Sequence, residues 1–227
     1  MKMAPNYGPK IVRDGLVLAL DAANPKSYPG SGTTCNDLGK NSYSGTLISG
    51  VGFDSSNEGS FVFDGVDDKI VFSNLSELDF PGDFTISFFA KQNPNVTQGN
   101  GRLISNGAFN QYGYEVFVDT NSVTLRTYSP GGYSSHDTGV NTSTWKYYSF
   151  IKSSSSSEIR ILPDETVSSG NATDCVYNNH NFTIGTRSTS DSYFYAGNLG
   201  PVQCYNRAIT ASEVYQNYNA LRGRYGI

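Results

Sequence analysis

Residues 59–72 constrain the fold of this chain more than any other stretch. Two short apolar runs flank a turn rich in Asp and Gly, a pattern typical of a β-hairpin. Phe61 and Phe63 share one face of the first run, and Ile70 and Phe72 share one face of the second. Successive side chains of a strand point to opposite sides. The stretch therefore predicts a hairpin with one buried face.

Other apolar runs along the chain have the length and alternation of strands. In residues 84–91, for example, Phe84, Ile86 and Phe88 alternate with polar side chains, which predicts a half-buried strand. Turn residues separate the runs, and no strand–helix–strand rhythm is present. The chain is therefore predicted to be all-β, an antiparallel two-sheet sandwich or jelly roll. The other predicted strands are 15–21, 102–105, 114–118, 122–128, 145–152, 158–162, 182–185 and 194–205.

One amphipathic helix is predicted near the C-terminus. Thr210 and Glu213 have the spacing of a capping box, in which each side chain bonds the backbone N–H of the other residue. Gly223 ends the helix. We expect this helix to dock on the edge of the sandwich through a shared apolar face, made of Val214, Tyr215, Tyr218 and Leu221.

The length of 227 residues, with 37% hydrophobic residues, suits one β domain with a sizeable core. We place that domain at residues 15–227. Residues 1–14, which contain two Pro and one Gly, are predicted to be an arm or linker. The N-terminus lacks the apolar segment of a signal peptide, and no run is long enough to cross a membrane. The net charge of −4 and the scattered basic residues argue against nucleic-acid binding.

The three cysteines, Cys35, Cys175 and Cys204, form no closely spaced pair. An odd number without such spacing indicates neither a disulfide framework nor a zinc site. Buried free thiols are the simpler interpretation.

Six segments occur in an order that resembles a known family. Together they are similar to a concanavalin A-like lectin/glucanase domain of the laminin-G-like type, over nearly the whole chain from Gly15 onward. The opening and closing segments also resemble modules in structural proteins of tailed bacteriophages. The resemblance implies an antiparallel jelly-roll sandwich with one short C-terminal helix. The segments are GLVLALDAANPKSYPGSGTT (15–34), SFVFDGVDDKIVF (60–72), FTISFFAK (84–91), WKYYSFIK (145–152), FTIGTRS (182–188) and NLGPVQCYNRAITASEVYQNYNALRGRYG (198–226).

The resemblance extends to glycoside hydrolases, some of which use this jelly roll. A retaining glycosidase needs two carboxylates about 5–5.5 Å apart. The nearest candidate, residues 77–83, lacks the second Glu, and Pro81 and Gly82 turn the chain where that group would stand. Neither His136 nor His180 lies in a recognisable nucleophile motif. No catalytic residue is predicted.

A cluster of carboxylates stands at the turn of residues 59–72. Asp64, Asp67 and Asp68 supply oxygens of the kind that calcium prefers, and Asp21 is a further candidate from a neighbouring strand. The family resemblance implies calcium as a possible ligand. The alternative is that these side chains form the turn and cap backbone N–H groups. The sequence leaves both open.

Sugar recognition requires flat aromatic faces and a few polar groups on exposed loops. Tyrosine is abundant, and much of it serves strands, so the location of such a site is open. The glycan-binding candidates are Tyr112, Tyr114, Tyr128, Tyr133, His136, Tyr193 and Tyr195.

Two functions follow from these expectations. The first is a non-enzymatic virion component, displayed on the surface of a phage capsid or tail and attached to other virion proteins through the N-terminal arm. The alternative is a carbohydrate-binding adhesin that contacts glycans of the host surface or the environment. The sequence leaves open whether the protein forms a homo-oligomer.

Overall fold

Within the residues that the computed structural model describes, which are 9–73, 75–95, 101–119, 121–140, 142–176 and 180–227, sixteen strands form two antiparallel sheets of eight. The first sheet contains β1 (Leu16–Leu20), β4 (Gly52–Asp54), β5 (Ser60–Asp64), β7 (Phe84–Gln92), β12 (Lys146–Ser153), β13 (Ser156–Leu162), β14 (Thr166–Asn171) and β16 (Ala196–Tyr205). The second contains β2 (Thr34–Asn36), β3 (Ser44–Ile48), β6 (Lys69–Phe72), β8 (Gly101–Ala108), β9 (Tyr112–Asp119), β10 (Ser122–Ser129), β11 (Gly132–Gly139) and β15 (Phe182–Ile184).

The strand orders are β14–β13–β12–β7–β16–β5–β4 in the first sheet, with β1 also on β16, and β11–β10–β9–β8–β15–β6–β3–β2 in the second. One core lies between the sheets, and residues that alternate inward from both fill it. This confirms the predicted all-β jelly-roll sandwich with one short helix. In the described part of the chain, no helix is long and apolar enough to cross a membrane.

Residues 59–72 do not form the predicted hairpin. β5 pairs with β4 and β16 in the first sheet, whereas β6 pairs with β3 and β15 in the second. The turn between them is a corner that carries the chain from one sheet to the other. Phe61 and Phe72 are both fully buried in the same core, one from each side. The predicted inward residues are buried, but an alternating pattern alone does not distinguish a hairpin from a corner.

The C-terminal helix α1 (Ala211–Leu221) has the predicted capping box, with Thr210 as its N-cap. The helix covers the outer face of the first sheet, which corrects the prediction that it docks on the edge. Tyr218 packs on Phe89 of β7 and Tyr147 of β12, with ring centroids 6.2 and 6.0 Å apart. Both strands lie in the middle of the sheet, so β7 is buried on both faces rather than on one.

Residues 10–14 pack on the domain instead of extending from it. Val12 is buried, its N–H donates to Asn217 Oδ1 at 2.8 Å, and its carbonyl accepts from Tyr205 Oη at 3.2 Å. The carbonyl of Lys10 accepts from Gln216 at 2.7 Å. The predicted arm of residues 1–14 is therefore docked in its second half, and residues 1–8 lie outside the described residues. Its role in binding other virion proteins stays a prediction.

All three cysteines are buried and unpaired, as predicted. Burial raises the pKa of the Cys35 and Cys175 thiols to about 12, so both remain protonated at neutral pH.

His136, one of the glycan-binding candidates expected on exposed loops, lies instead in strand β11. β11 is polar along its length, and it forms because every residue from Gly132 to Gly139 pairs with β10. The His136 ring turns inward, where its two nitrogens contact Ser157 Oγ and Ser168 Oγ of the first sheet, each at 2.9 Å. His136 thus joins the two sheets at one edge of the sandwich and is not available to a glycan.

The burial of His136 predicts an acid-sensitive contribution to stability. Burial lowers the pKa of this imidazole, against the opposite effect of the Asp137 charge. The unfolded chain therefore binds the proton more readily, and stability falls as the pH drops below about 6.5. Each unit of pKa depression corresponds to about 1.4 kcal/mol. We expect urea unfolding to show a larger loss for wild type than for His136→Asn between about pH 7.5 and about pH 5.5. Equal losses would contradict this role.

Candidate functional site

The outer face of the second sheet carries an unusual set of side chains. Along β9, Val116 and Val118 point into the core, while Glu115 and Phe117 point away from it. Arg126 of the neighbouring strand β10 lies directly opposite Glu115 in the sheet. The same alternation that fills the core therefore places charged and aromatic side chains together on the outer face.

Three arginines and four aromatic rings alternate around this face; we call them the arginine–aromatic ring. Each arginine lies between two aromatic side chains, with its guanidinium carbon 4.4–5.6 Å from their centroids. Phe109 and Tyr133, with centroids 5.7 Å apart, close the circuit. The order around the ring is Tyr133, Arg126, Phe117, Arg102, Tyr193, Arg187 and Phe109.

Glu115 forms the floor beneath the ring. Its carboxylate accepts from Arg102 Nε at 3.2 Å and from Arg187 Nε at 2.8 Å. Tyr128 Oη donates to the same carboxylate at 2.6 Å. Glu115 and Tyr128 are both fully buried, so they hold the arginines from below and do not reach solvent.

The electrostatics of this group keep its charges in place. Burial alone would raise the pKa of Glu115, but the hydrogen bonds from Arg187 and Tyr128 and the charge of Arg102 outweigh it and hold that pKa below its usual value. Burial lowers the pKa of Arg102, which Glu115 opposes. A guanidinium stays protonated in proteins, so the group remains fully ionised near neutral pH.

The ring surrounds an open pocket of about 300 Å³, at the lower end of the range for small-ligand sites. Tyr193 and Phe109 are 46% and 42% exposed, so part of each aromatic side chain is open to a ligand. Arg126 Nε is buried and has no hydrogen-bond partner among the described residues. The residues that line the pocket are Arg102, Phe109, Arg126, Arg187 and Tyr193.

The loop between β15 and β16 supplies two members of the ring. The N–H of Arg102 donates to the carbonyl of Tyr193 at 2.8 Å, which fixes this loop to β8. Within the loop, Thr186 Oγ1 donates to the carbonyl of Ser192 at 2.9 Å. These bonds hold Arg187 and Tyr193 next to each other, with the guanidinium carbon of Arg187 4.6 Å from the centroid of the Tyr193 ring.

The structure brings only two of the seven predicted glycan-binding residues into this ring, Tyr133 and Tyr193. Tyr128 lies beneath it. Tyr114 and Tyr195 are wrong predictions, because both are fully buried in the core between the sheets.

Tyr112 lies outside the ring, where it stacks on His180 with centroids 5.2 Å apart. Its hydroxyl also contacts His180 Nε2 at 2.8 Å.

The sequence interpretation missed the arginines because they are scattered along the chain and come together only in the fold. A local signal was present in β9, where Glu115 and Phe117 stand at the outward positions of a strand whose inward positions fill the core. A large apolar side chain and a charge on an outer face indicate that something covers or binds that face.

The acidic corner is a separate candidate. One oxygen from each of Asp64, Asp67 and Asp68 lies within 4.8 Å of the others. Asp68 is only 3% exposed; its Oδ2 accepts from the N–H of Asp64 at 2.9 Å, and its Oδ1 has no partner among the described residues. Burial and the charges of Asp64 and Asp67 raise the pKa of Asp68. An unpartnered buried carboxylate oxygen beside two others fits a hard cation, so calcium binding here stays a prediction.

Asp21 does not belong to this group, which corrects the prediction. It accepts from Arg224 Nη1 at 3.0 Å and from the N–H of Ala23 at 3.1 Å. The register of β16 separates the two. Leu20, next to Asp21, pairs with Val202, whereas Asp64 pairs with Ala196, six residues before Val202 in the same strand.

A calcium site at this corner would show in thermal stability. Calcium at about one hundred times its dissociation constant would stabilise the fold by about 2.7 kcal/mol. We expect calcium to raise the melting temperature of wild type relative to chelator, and Asp67→Ala to remove that increase. Asp14→Ala, which alters an exposed carboxylate elsewhere, is the matched control. No calcium effect on wild type would leave the carboxylates as turn-forming groups only.

Solved structures with a similar fold are binding domains of toxins. The binding domain of Paraclostridial Mosquitocidal Protein 1 matches with 16% identity and a TM-score of 0.71, over 92% of this chain and 52% of that one. The binding domain of botulinum neurotoxin DC in complex with SialylT matches with 11% identity and a TM-score of 0.72, over 92% and 52%. This chain spans about half of their length, and at such identities the likeness shows the fold alone.

A third similar structure is of botulinum neurotoxin type C, whose cell entry depends on interaction with two ganglioside molecules; it has 13% identity and a TM-score of 0.70, over 91% of this chain and 51% of that one. No curated protein matches the sequence. The named neighbours are not phage modules, so the phage setting stays a prediction. The family model of the concanavalin A-like lectin/glucanases superfamily matches residues 64–215, about two thirds of the chain, and this protein therefore belongs to that family.

Proposed function

We propose that this protein is a carbohydrate-binding module and that the arginine–aromatic ring is its ligand site. The observation that carries the proposal is the open pocket of about 300 Å³, which is lined by two exposed aromatic side chains and by the hydrogen-bond donors of three arginines. Sugars are recognised through the packing of their apolar faces on aromatic rings and through a few fixed polar groups. The ring offers both in one place.

Two properties of similar proteins support the proposal. One neighbour is a complex with SialylT, and another is a toxin whose cell entry depends on gangliosides. A third neighbour, a binding domain of botulinum neurotoxin DC, is in complex with a protein, rat synaptotagmin II. The shared feature is a binding role, and the chemistry of the ring in this chain favours a glycan.

The carboxylate of the site supports binding rather than hydrolysis. A glycosidase uses two carboxyl groups on either side of the scissile bond. Among the described residues of the ring and its floor, Glu115 is the only carboxylate, and Arg102, Arg187 and Tyr128 already occupy it. We therefore propose a non-enzymatic role and expect no release of reducing sugar from bound glycans.

A glycan array with matched variants tests this proposal. Tyr193→Ala removes an exposed aromatic face of the pocket, and such central aromatic residues contribute about 2 kcal/mol or more, roughly thirtyfold in affinity. Tyr215→Ala is the control, because Tyr215 is 36% exposed on helix α1 outside the ring. We expect binding by wild type and the control and loss in Tyr193→Ala. Absence of wild-type binding to any glycan, or equal loss in both variants, would overturn the proposal.

Display on a phage particle is compatible with glycan binding and rests on the sequence resemblance alone. In that setting the module would lie on the virion surface, on a capsid or a tail, and the N-terminal arm would contact other virion proteins. Mass spectrometry of purified particles tests this prediction, and absence of the protein from them would contradict it.

A further inference from the structure

We infer that the sugar bound by the arginine–aromatic ring carries a negative charge, a carboxylate or a sulfate, which Arg126 and Arg187 recognise. This inference rests on the proposed function and names the class of glycan. Its support comes from the charge of the ring, from a donor without a partner, and from the way the arginines are held.

The ring is positive in an acidic protein. Its three arginines face one floor carboxylate, Glu115, so the ring and its floor hold two net positive charges. The whole chain has a net charge of −4. Arg102 is only 3% exposed, so part of this charge is removed from solvent screening. Concentrating positive charge in a partly dry pocket is unfavourable unless an anion can enter it.

Glu115 does not use all the donors of the ring. It accepts from Arg102 Nε and from Arg187 Nε and Nη2, whereas its hydrogen bonds do not extend to Arg126. Arg126 Nε is buried without a partner in the described part of the chain. A buried donor left in this state is unfavourable, and an acceptor that reached it would relieve that cost.

On β11, the other strand that pairs with β10, the acidic side chain near Arg126 already accepts hydrogen bonds from hydroxyl groups. Ser135 of β11 lies opposite Arg126, and Asp137 lies two pairs further along, opposite Thr124. Asp137 Oδ1 accepts from Thr124 Oγ1 at 2.5 Å and from Ser135 Oγ at 3.5 Å. These bonds direct the Asp137 carboxylate to the strand itself.

The aromatic contacts hold the arginines without consuming their hydrogen-bond donors. Arg126 lies between Phe117 and Tyr133, with both centroids 4.8 Å from its guanidinium carbon. Cation–π contacts use the charge and the flat face of a guanidinium, whereas its N–H groups lie in its plane. A planar fork fixed in this way suits a carboxylate or a sulfate, and the flanking rings suit a sugar that carries it.

Matched charged and neutral ligands test the inference by isothermal titration calorimetry. The first pair is tetragalacturonic acid and its fully methyl-esterified form, which share a sugar backbone and differ in the carboxylate. The second pair is a dextran sulfate oligosaccharide and the uncharged dextran of the same length. A hydrogen bond to a charged group is worth about tenfold or more in affinity. We expect the charged member of at least one pair to bind about tenfold or more tightly than its neutral partner, and the pair that shows the difference identifies the anion.

Two variants connect that difference to the ring. Arg126→Gln should reduce the preference for the charged ligand to about the level of the neutral one. Arg160→Gln removes an arginine from β13 in the first sheet and should leave the preference unchanged. Thermal melts of both variants confirm that they are folded before binding is measured.

The outcomes separate this inference from the proposed function. Equal affinity for the charged and neutral members of both pairs would overturn the inference and leave glycan binding in place. Equal loss in Arg126→Gln and Arg160→Gln would also overturn it, because the attraction would then be a property of net charge. A wild-type protein that binds neither these ligands nor any glycan on the array would overturn the proposed function as well.

Discussion

Replacing Glu115 by Ala is expected to lower the free energy of unfolding by about 3–5 kcal/mol. Glu115 is fully buried, and it balances Arg102, which is itself almost fully buried, and Arg187. Removing the carboxylate leaves two guanidinium groups close together without their counter-charge and leaves the Tyr128 hydroxyl without its acceptor. Breaking a buried ion pair in this way costs far more than losing an exposed one. Urea unfolding followed by circular dichroism measures the change.

A matched variant distinguishes this effect from the loss of any glutamate on a strand. Glu158 of β13 pairs with Arg160 at a partly exposed position, and Glu158→Ala should cost less than about 1 kcal/mol. Adding Arg102→Met to Glu115→Ala should restore part of the stability, because one uncompensated charge is removed. Similar losses of unfolding free energy in Glu115→Ala and Glu158→Ala would show that Glu115 does not stabilise the fold by balancing the charges of Arg102 and Arg187.

How far the sequence predicts this fold is clearest at the acidic corner. The alternation of Phe61 and Phe63, and of Ile70 and Phe72, predicted which side chains are buried, and all four are. It did not predict that the two strands belong to different sheets. Alternation of apolar and polar residues along a strand shows only which side chains point inward. A corner between two packed sheets buries the same residues as a hairpin does.

The candidate site was harder to predict than the fold because its parts are far apart in the chain. Arg102, Arg126 and Arg187 come from two strands and a loop, and each looks like an ordinary surface arginine in its local sequence. The sequence identifies tyrosines as candidates for a sugar site, but it does not show which of them are exposed. Tyr114 and Tyr133 each follow a Gly and precede a polar residue, yet one faces the core and the other is 47% exposed on a strand at the sheet edge. Only the register of the sheet decides between them.

The hairpin of β8 and β9 determines whether this site can form. It carries Arg102 before the turn and Glu115 and Phe117 after it, and Phe109 stands within the turn. Gly107 and Gly113 pair directly across the two strands. A side chain at either position would meet the backbone of the opposite strand inside van der Waals contact. The two glycines therefore let the strands approach closely next to the ring.

Gly113→Ala is therefore expected to destabilise the protein by about 3 kcal/mol or more. Gly113 has a φ of +85°, which costs an alanine about 1–2 kcal/mol, and the added methyl group would displace the Asn106 carbonyl and weaken the hydrogen bonds beside it. Gly131→Ala is the matched control, because Gly131 has a φ of +83° but open space around the new methyl group. The control should lose only the conformational part, about 1–2 kcal/mol.

The same pair of variants separates stability from ligand binding. Glu115 and Phe117 lie two and four residues after Gly113, so a displaced β9 would misplace the floor and one side of the ring. We expect Gly113→Ala to bind glycan more weakly than Gly131→Ala at a temperature where both are folded by circular dichroism. If the two variants unfold at the same urea concentration and bind equally, close approach at Gly113 is not what positions the ring, and the hydrogen bonds of the loop to Arg102 would have to hold it alone.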